Sequence, residues 1–163
     1  MITVLENPNF IMNIGNVIRN VNGLGVDELF VIDGQKRLED DLEKIRSRKS
    51  ILKNSNGAVK WTNVKVFHTT SSCFEYLKSN LFTNVATSPH LKTSRCFQIE
   101  KANLKIPKLA IWFGEESKGL SNEAFNLCDF SIYIKMRGKV ESFNLSTSTG
   151  IVMYEAIRQR DCD

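Results

Sequence analysis

Short hydrophobic runs alternate with helical spacing along this chain. Six runs rich in β-branched or aromatic residues predict strands at 2–5, 29–32, 64–67, 81–86, 109–113 and 131–134. Apolar residues at helical spacing predict helices at 11–22, 37–46, 71–79, 120–127 and 144–160. This order predicts an α/β fold, with a mostly parallel sheet flanked by helices. Because such sheets bind ligands beyond the carboxyl ends of their strands, we expect the site in the loops after Ala86, Phe113 and Ile134.

The predicted helix at 11–22 has an unusual polar face. Its apolar side consists of isoleucine and valine, whereas the other side carries Asn13, Asn16, Arg19 and Asn20. Asparagine side chains compete with the helical backbone for hydrogen bonds, so local stability does not explain them. Two interpretations stay open. The amides around one cation bind a polar, anionic ligand, or they form a solvent-exposed face that frays near Gly23 or Gly25.

Composition narrows the class of protein. The 163 residues are 42% hydrophobic and 25% charged, with 3 prolines, which predicts a single ordered domain over 1–163. No basic leader precedes an apolar stretch, and no run approaches the roughly 18 apolar residues that span a bilayer. We therefore expect a cytoplasmic protein that does not enter membranes.

Residues suited to metal or nucleophilic chemistry are scattered. Cys73, Cys96, Cys128 and Cys162 form no close pair, which indicates core thiols. The only histidines, His68 and His90, are isolated, so no metal site is predicted. A serine-hydrolase elbow is also absent from the sequence.

The net charge of +4 is unevenly distributed, since no acidic residue lies between Lys44 and Lys60. Acids at the start of the predicted helix 37–46 and bases near its end fit the helix dipole. Beyond it, 47–57 is interpreted as a polar, mobile loop, either solvated or in contact with phosphates, and the phosphate interpretation is favoured. The predicted RNA-binding residues are Arg46, Arg48, Lys49, Lys53 and Lys60.

The loops after the later strands exclude two nucleotide motifs. Gly114 and Gly119 are separated by four residues, as in a phosphate-binding loop, but Leu120 and Ser121 follow instead of Lys-Ser/Thr. Gly23 and Gly25 lack the third glycine of a dinucleotide fingerprint. Carboxylates near glycine turns better suit a cationic centre or sugar hydroxyls. The loop at 134–150 is rich in hydroxyls and small residues, consistent with ligand binding or with close packing.

Three segments together resemble a known family. They are Asn13-x-Gly15-x-x-x-Arg19, Gly114-Glu115-Glu116-x-x-Gly119-Leu120-Ser121, and Ile134-x-Met136-x-Gly138-x-Val140-x-Ser142-Phe143-Asn144-Leu145-Ser146. They resemble motifs one, two and three of the SpoU/TrmH-type RNA ribose 2'-O-methyltransferases of the SPOUT superfamily, across nearly the whole chain. Residues 57–61 and 154–160 look closest to transfer-RNA members that methylate a D-loop guanosine.

The resemblance implies a C-terminal trefoil knot, a homodimer, and S-adenosylmethionine bound in the knot. Implied cofactor-binding residues are Ala86, Thr87, Gly114, Glu116, Gly119, Ile134, Met136, Ser142, Phe143 and Asn144. Implied catalytic residues are Arg19, Asn13, Ser142 and Asn144. Arg19 and Asn13 would face the target ribose, across the dimer interface. The family role of Arg19 as a base is chemically poor, because a guanidinium has a pKa above about 12, so we expect it to position and stabilise charge.

The expected reaction is methylation of a ribose 2'-hydroxyl in structured RNA, with tRNA favoured over rRNA. An rRNA enzyme, a catalytically silent RNA-binding module, and a small-molecule methyltransferase or nucleotide-binding enzyme are the alternatives. The joint presence of the motif residues argues against a silent module. Excess basic charge without a phosphate motif argues against the small-molecule class.

Overall fold

Seven parallel strands form one sheet in the computed structural model, which describes residues 1–88 and 95–161. The strands are β1 (Ile2–Glu6), β2 (Glu28–Ile32), β3 (Asn63–Phe67), β4 (Thr83–Thr87), β5 (Cys96–Gln98), β6 (Leu109–Phe113) and β7 (Phe130–Tyr133). Their order across the sheet is β3-β2-β1-β6-β4-β7-β5. Every pairing is parallel, which confirms the predicted sheet.

Six α-helices in the described part of the chain cover the two faces of this sheet. They are α1 (Ile11–Gly23), α2 (Leu42–Ser47), α3 (Lys49–Asn54), α4 (Thr70–Ser79), α5 (Asn122–Leu127) and α6 (Leu145–Asp161). A short 3-10 turn, Ala58–Lys60, joins α3 to β3. Residues of α1, α3 and α6 share one hydrophobic cluster, while α4 and α5 contribute to the other.

The central strand β6 shows how the sequence produces two cores. Leu109, Ile111 and Phe113 pack in the cluster with α1 and α6, whereas Ala110 and Trp112 pack in the cluster with α4. Successive side chains of a strand point to opposite faces, so an uninterrupted apolar run is buried on both sides. This burial holds the carboxyl ends of β1, β4, β6 and β7 in fixed positions.

The structure differs from the prediction of a helix at 37–46 and a mobile loop at 47–57. Helix α2 begins only at Leu42, where the Asp41 side chain caps it by accepting from the Lys44 N–H at 3.0 Å. The predicted loop contains the helix α3, whose Ile51 is fully buried. Polar residues dominate α3, so one buried isoleucine was too weak a sequence signal. Tertiary packing against α1 supplies the stability that its composition lacks.

Two smaller differences concern strands. The strand predicted at 81–86 begins at Thr83, because Leu81 is 79% exposed in a turn with φ of +61°. The three-residue strand β5 was not predicted, since its Cys-Phe-Gln sequence is too short to show a period. No helix in the described part of the chain is long and apolar enough to cross a membrane.

Candidate active site

A cavity of about 290 Å³ lies where β4, β6 and β7 end. This is the edge at which parallel α/β sheets place ligands, and the size is near the lower end of ordinary ligand pockets, about 300 Å³. Eight of the residues assigned to the cofactor by resemblance line it: Thr87, Gly114, Glu116, Gly119, Ile134, Met136, Ser142 and Phe143. Ala86 is fully buried in the core, and Asn144 lies outside the lining. The cavity combines apolar side chains with backbone and hydroxyl groups.

The glycine turn after β6 forms one wall of this cavity. A Cβ atom on Gly114 would lie 1.9 Å from the carbonyl carbon of Gly119 and 2.0 Å from the Leu120 nitrogen. Gly119 has a φ of +73°, and its N–H donates to the Glu115 carbonyl at 2.9 Å. Both glycines are therefore required by a loop that folds back on itself, and not by a phosphate group.

Glu116 joins the cavity to helix α1. Its Oε1 accepts a hydrogen bond from Asn13 Nδ2 at 2.5 Å, and its Oε2 accepts one from the Asn9 N–H at 2.8 Å. Asn144 Nδ2 in turn donates to Asn13 Oδ1 at 3.4 Å. Asn13 is 3% exposed, so its amide serves neither solvent nor an open ligand face. These contacts bring the three sequence motifs together at one point.

Some polar side chains of α1 make hydrogen bonds within the protein, and others are exposed to solvent. Asn20 Nδ2 donates to the Ser146 carbonyl at 2.7 Å and to Thr149 Oγ1 at 3.3 Å, which ties α1 to the start of α6. Asn144 caps α6, because its Oδ1 accepts from the Ser146 N–H at 2.9 Å. Arg19 is exposed, and within residues 1–88 and 95–161 it makes no hydrogen bond or ion pair. Its guanidinium is thus available to a ligand.

A buried carboxylate fixes the far end of the glycine turn. Glu6, at the end of β1, is 3% exposed and accepts from the Ser121 N–H at 2.8 Å and Ser121 Oγ at 2.7 Å. It also accepts from Thr70 Oγ1 at 2.6 Å, at the start of α4. Glu6 could not be recognised from the sequence, because a lone glutamate at the end of a strand has no distinctive pattern.

Arg37 is a second residue that the sequence did not identify. Its guanidinium donates to the carbonyls of Asn9, at 2.8 Å, and of Pro8, and its Nε lies 3.7 Å from Asp33 Oδ1. These bonds hold the loop between β1 and α1, whose Asn9 N–H reaches Glu116. Arg37 was placed inside a predicted helix, so no contact with this loop could be expected.

Replacing Arg37 with methionine should loosen this loop. Hydrogen bonds from a charged group contribute about 1.5–3 kcal/mol, so we expect amide exchange in residues 7–14 to accelerate by roughly 10-fold or more. Hydrogen–deuterium exchange with mass spectrometry measures this directly. Arg46→Met is the control, because among the residues described Arg46 pairs only with the exposed Glu43, at 2.7 Å. Equal exchange in Arg37→Met and the parent chain would contradict the assigned contact.

The basic residues separate into two groups. Arg46 pairs with Glu43, while Arg48 donates to the Arg37 carbonyl at 2.7 Å and lies 3.3 Å from Glu39. Lys49, Lys53 and Lys60 are exposed. The lysines are therefore available to a partner, and the arginines also hold the surface together.

Two buried thiols, those of Cys73 and Cys128, are unsuited to chemistry at neutral pH. Burial raises the pKa of Cys73 to about 12 and also raises the pKa of Cys128. Cys96 is half-buried, whereas Cys162 and His90 lie outside the described residues. Among the residues described, no group of three His, Cys, Asp or Glu side chains could hold a metal ion.

Comparison with known proteins decides the family. Residues 1–154 match the model of the SpoU rRNA Methylase family, which covers every motif of the cavity. The chain belongs to this family. It is 30% identical over 157 residues to a tRNA (guanosine(18)-2'-O)-methyltransferase of Thermus thermophilus, covering 96% of this chain and 74% of that enzyme.

Solved structures of related proteins share the fold. One solved structure, described as giving structural insights into the 2-OH methylation of C/U34 on tRNA, is 25% identical to this chain. The two structures align with a TM-score of 0.81, over 99% of this chain and 97% of that one. A SpoU methyltransferase from Streptomyces viridochromogenes, solved with AdoMet, is 23% identical with a TM-score of 0.84. That comparison covers 99% of this chain and 58% of the Streptomyces chain, so the present sequence spans a little over half of it.

Proposed function

We propose that this chain transfers a methyl group from S-adenosylmethionine to a ribose 2'-hydroxyl of tRNA in the cytoplasm. Membership of the SpoU family and the similarity to the Thermus tRNA enzyme support this activity. The observation that carries it is the contact of Glu116, in the cavity wall, with Asn13 on the helix that bears Arg19. A cofactor cavity is thereby joined to an exposed cation that can face a nucleotide.

The chemical groups that line the cavity fit S-adenosylmethionine. Ile134, Met136 and Phe143 offer apolar surface to an adenine ring, while Glu115, Glu116 and the turn backbone offer acceptors to hydroxyl and ammonium groups. The bound cofactor supplies an activated methyl group on a sulfonium. The chain itself must then orient the ribose, for which Ser142 is the proposed side chain, while Asn13 holds Glu116 in place.

Arg19 is the proposed charged group at the reacting hydroxyl. A guanidinium stays protonated, so it positions the adjacent phosphate and stabilises negative charge that develops on the 2'-oxygen. Asn13 cannot act as a base either, because an amide does not accept a proton near neutral pH. The hydroxyl proton leaves to solvent or a substrate phosphate in this scheme.

Nucleoside mass spectrometry tests the proposal. The purified chain is incubated with methyl-labelled S-adenosylmethionine and either unmodified tRNA transcripts or ribosomal RNA fragments. We expect 2'-O-methylated nucleosides from tRNA, with a D-loop guanosine as the first candidate. Label confined to rRNA would favour the rRNA alternative, and label on a base would exclude ribose methylation. RNA binding without any transfer would favour the silent module.

We further propose the finer features that the resemblance implies, a trefoil knot and a homodimer. The placement of β7 between β4 and β5, with α6 returning to pack on α1, supports a chain path that passes through its own loop. An apolar groove supports the dimer. Ile99, Ile134, Ile151 and Tyr154 line it on the outer side of α6, with Glu100 and Glu155 beside them, and Tyr154 is 61% exposed.

Charge placed in this groove should separate the proposed dimer. We expect Tyr154→Glu to convert the chain to a monomer, because a buried unpaired carboxylate would oppose association by several kcal/mol, about 3 or more. Sedimentation velocity at micromolar concentration measures the change. Leu81→Asn is the control, since Leu81 is also exposed, at 79%, closely follows α4 on the opposite face of the sheet from α6, and has a φ of +61° that suits asparagine. A parent chain that sediments as a monomer would contradict the dimer.

A further inference from the structure

Trp61 is exposed to an unusual degree for its residue type. Its side chain is 74% exposed, whereas the other tryptophan, Trp112, is fully buried and donates from Nε1 to Asn84 Oδ1 at 2.9 Å. Tryptophan normally buries most of its large ring. Trp61 therefore contributes little to the core, and its ring is available to a partner.

The backbone that carries Trp61 is held by several hydrogen bonds. Asn56 and Gly57 adopt left-handed φ angles of +51° and +80°, and the Gly57 N–H donates to the Leu52 carbonyl at 2.9 Å. The Trp61 N–H donates to the Ala58 carbonyl at 3.0 Å, and Thr62 Oγ1 donates to the same carbonyl at 3.0 Å. Ala58 and Thr62 are buried. An anchored turn thus presents an exposed ring, which reduces the entropy lost on binding.

The surroundings of Trp61 favour an anionic partner. Lys60 precedes it and is exposed, as are Lys49 and Lys53, one turn apart on α3. The sequence contains no acidic residue between Glu43 and Glu75. Aromatic rings beside lysines are typical of surfaces that bind single-stranded nucleic acid, where bases stack and phosphates pair with cations.

The turn also lies beside the helix that bears Arg19. A Cβ atom on Gly15 would lie 2.6 Å from Cβ of Asn54, so α1 and the end of α3 are in close contact. Arg19 is four residues after Gly15, on the same side of α1. The 3-10 turn before Trp61 contacts α1 as well. RNA that reaches Arg19 can therefore also reach this surface.

We propose that Trp61 stacks on an unpaired base of the RNA substrate while Lys60, Lys53 and Lys49 bind neighbouring phosphates. The proposal rests on the proposed function, since it names a contact with the same RNA. It adds a base contact outside the cofactor cavity and the three motifs. A tRNA loop, whose bases can leave the helix, has the required chemistry.

Fluorescence tests the contact directly, because Trp61 and Trp112 are the only tryptophans. An unmodified tRNA transcript should quench the emission of the parent chain and protect it from iodide. In Trp61→Phe the remaining tryptophan is buried, so transcript should cause little quenching. Stacking survives in phenylalanine, so the affinity of this variant should fall less than about 5-fold.

Trp61→Ala should weaken transcript binding by about 10-fold or more, as loss of a base stack does. Leu81→Asn, which removes another exposed apolar side chain, should leave binding unchanged. Lys49→Gln with Lys53→Gln should flatten the salt dependence of binding, which Trp61→Ala should not.

The outcomes separate this proposal from the proposed function. Quenching and protection of Trp61 without methyl transfer would support the stack and contradict the enzyme. Methyl transfer with equal transcript affinity in Trp61→Ala and the parent would overturn the stack and leave the enzyme intact. Altered sedimentation of Trp61→Ala with unchanged RNA affinity would assign Trp61 to a protein interface, and a parent chain that binds no transcript would overturn the proposal as well.

Discussion

Replacing Gly114 with alanine should abolish binding of S-adenosylmethionine. The new Cβ would lie within 2.2 Å of three backbone atoms of Gly119 and Leu120, a distance that real Cβ atoms do not reach. Backbone cannot move aside as a flexible side chain can, so the turn must open. That turn carries Glu115, Glu116 and Gly119 in the cavity wall. We expect the dissociation constant to rise by roughly 100-fold or more, because several contacts are lost together.

Isothermal titration calorimetry of the cofactor and its homocysteine product measures this effect. Gly23→Ala is a matched control, because a Cβ there has no neighbour within 4 Å and the residue ends a helix. Circular dichroism should show that Gly114→Ala keeps its secondary structure, since the clash is confined to one turn. Cofactor affinity within a factor of 3 of the parent chain would refute the role of the turn.

The strands and the long helices could be predicted from the sequence because their burial repeats at fixed periods. The run 109–113 is buried on both faces, and the ends of β6 agree with the prediction. Helix α3 and strand β5 could not be predicted, because neither shows such a period. Each is short, and each depends on neighbours distant in sequence, such as Gly15 for α3 and β7 for β5.

The candidate site was predictable only in part. Glycine positions and loop motifs follow strands, so Gly114, Gly119 and Ser142 could be located from sequence, and they do line one cavity. Contacts between residues far apart in the sequence could not be predicted. Glu116 was expected to face the cofactor, yet both of its oxygens accept hydrogen bonds from the start of motif one. A carboxylate has further acceptor positions, so the same group can still serve a ligand.

This arrangement explains the poor helix-forming composition of α1. Asn13 and Asn20 have a structural role, because they hold α1 against the glycine turn and against α6. A buried amide needs such partners, and its replacement would leave them unsatisfied. The two interpretations of the polar face are therefore too simple, since only Arg19 and the half-buried Asn16 remain for solvent or ligand.

Arg19→Ala should remove methyl transfer while cofactor binding stays nearly intact. Arg19 lies outside the cavity lining and makes no hydrogen bond or ion pair in the described part of the chain, so its loss costs little folding stability. If its charge stabilises the developing alkoxide, its removal costs on the order of 100-fold in rate or more. Single-turnover transfer from labelled S-adenosylmethionine to tRNA measures the loss, with calorimetry for the cofactor.

Charge and geometry can be separated by comparing Arg19→Lys with Arg19→Ala. Lysine keeps the positive charge but not the planar pair of donors, so partial recovery would indicate electrostatic stabilisation, and none would indicate bidentate positioning of a phosphate. Arg46→Ala is the comparison for the loss of one basic side chain, because Arg46 lies outside α1 and pairs with Glu43; it should leave the rate of transfer at saturating tRNA unchanged. Either Arg19 variant should keep its cofactor dissociation constant within about 2-fold, since Glu116 and Asn13 remain paired. Turnover of Arg19→Ala at the rate of the parent chain would show that the reacting hydroxyl does not depend on this cation. The catalytic side chain would then have to be sought among Ser142 and the other hydroxyl groups that line the cavity.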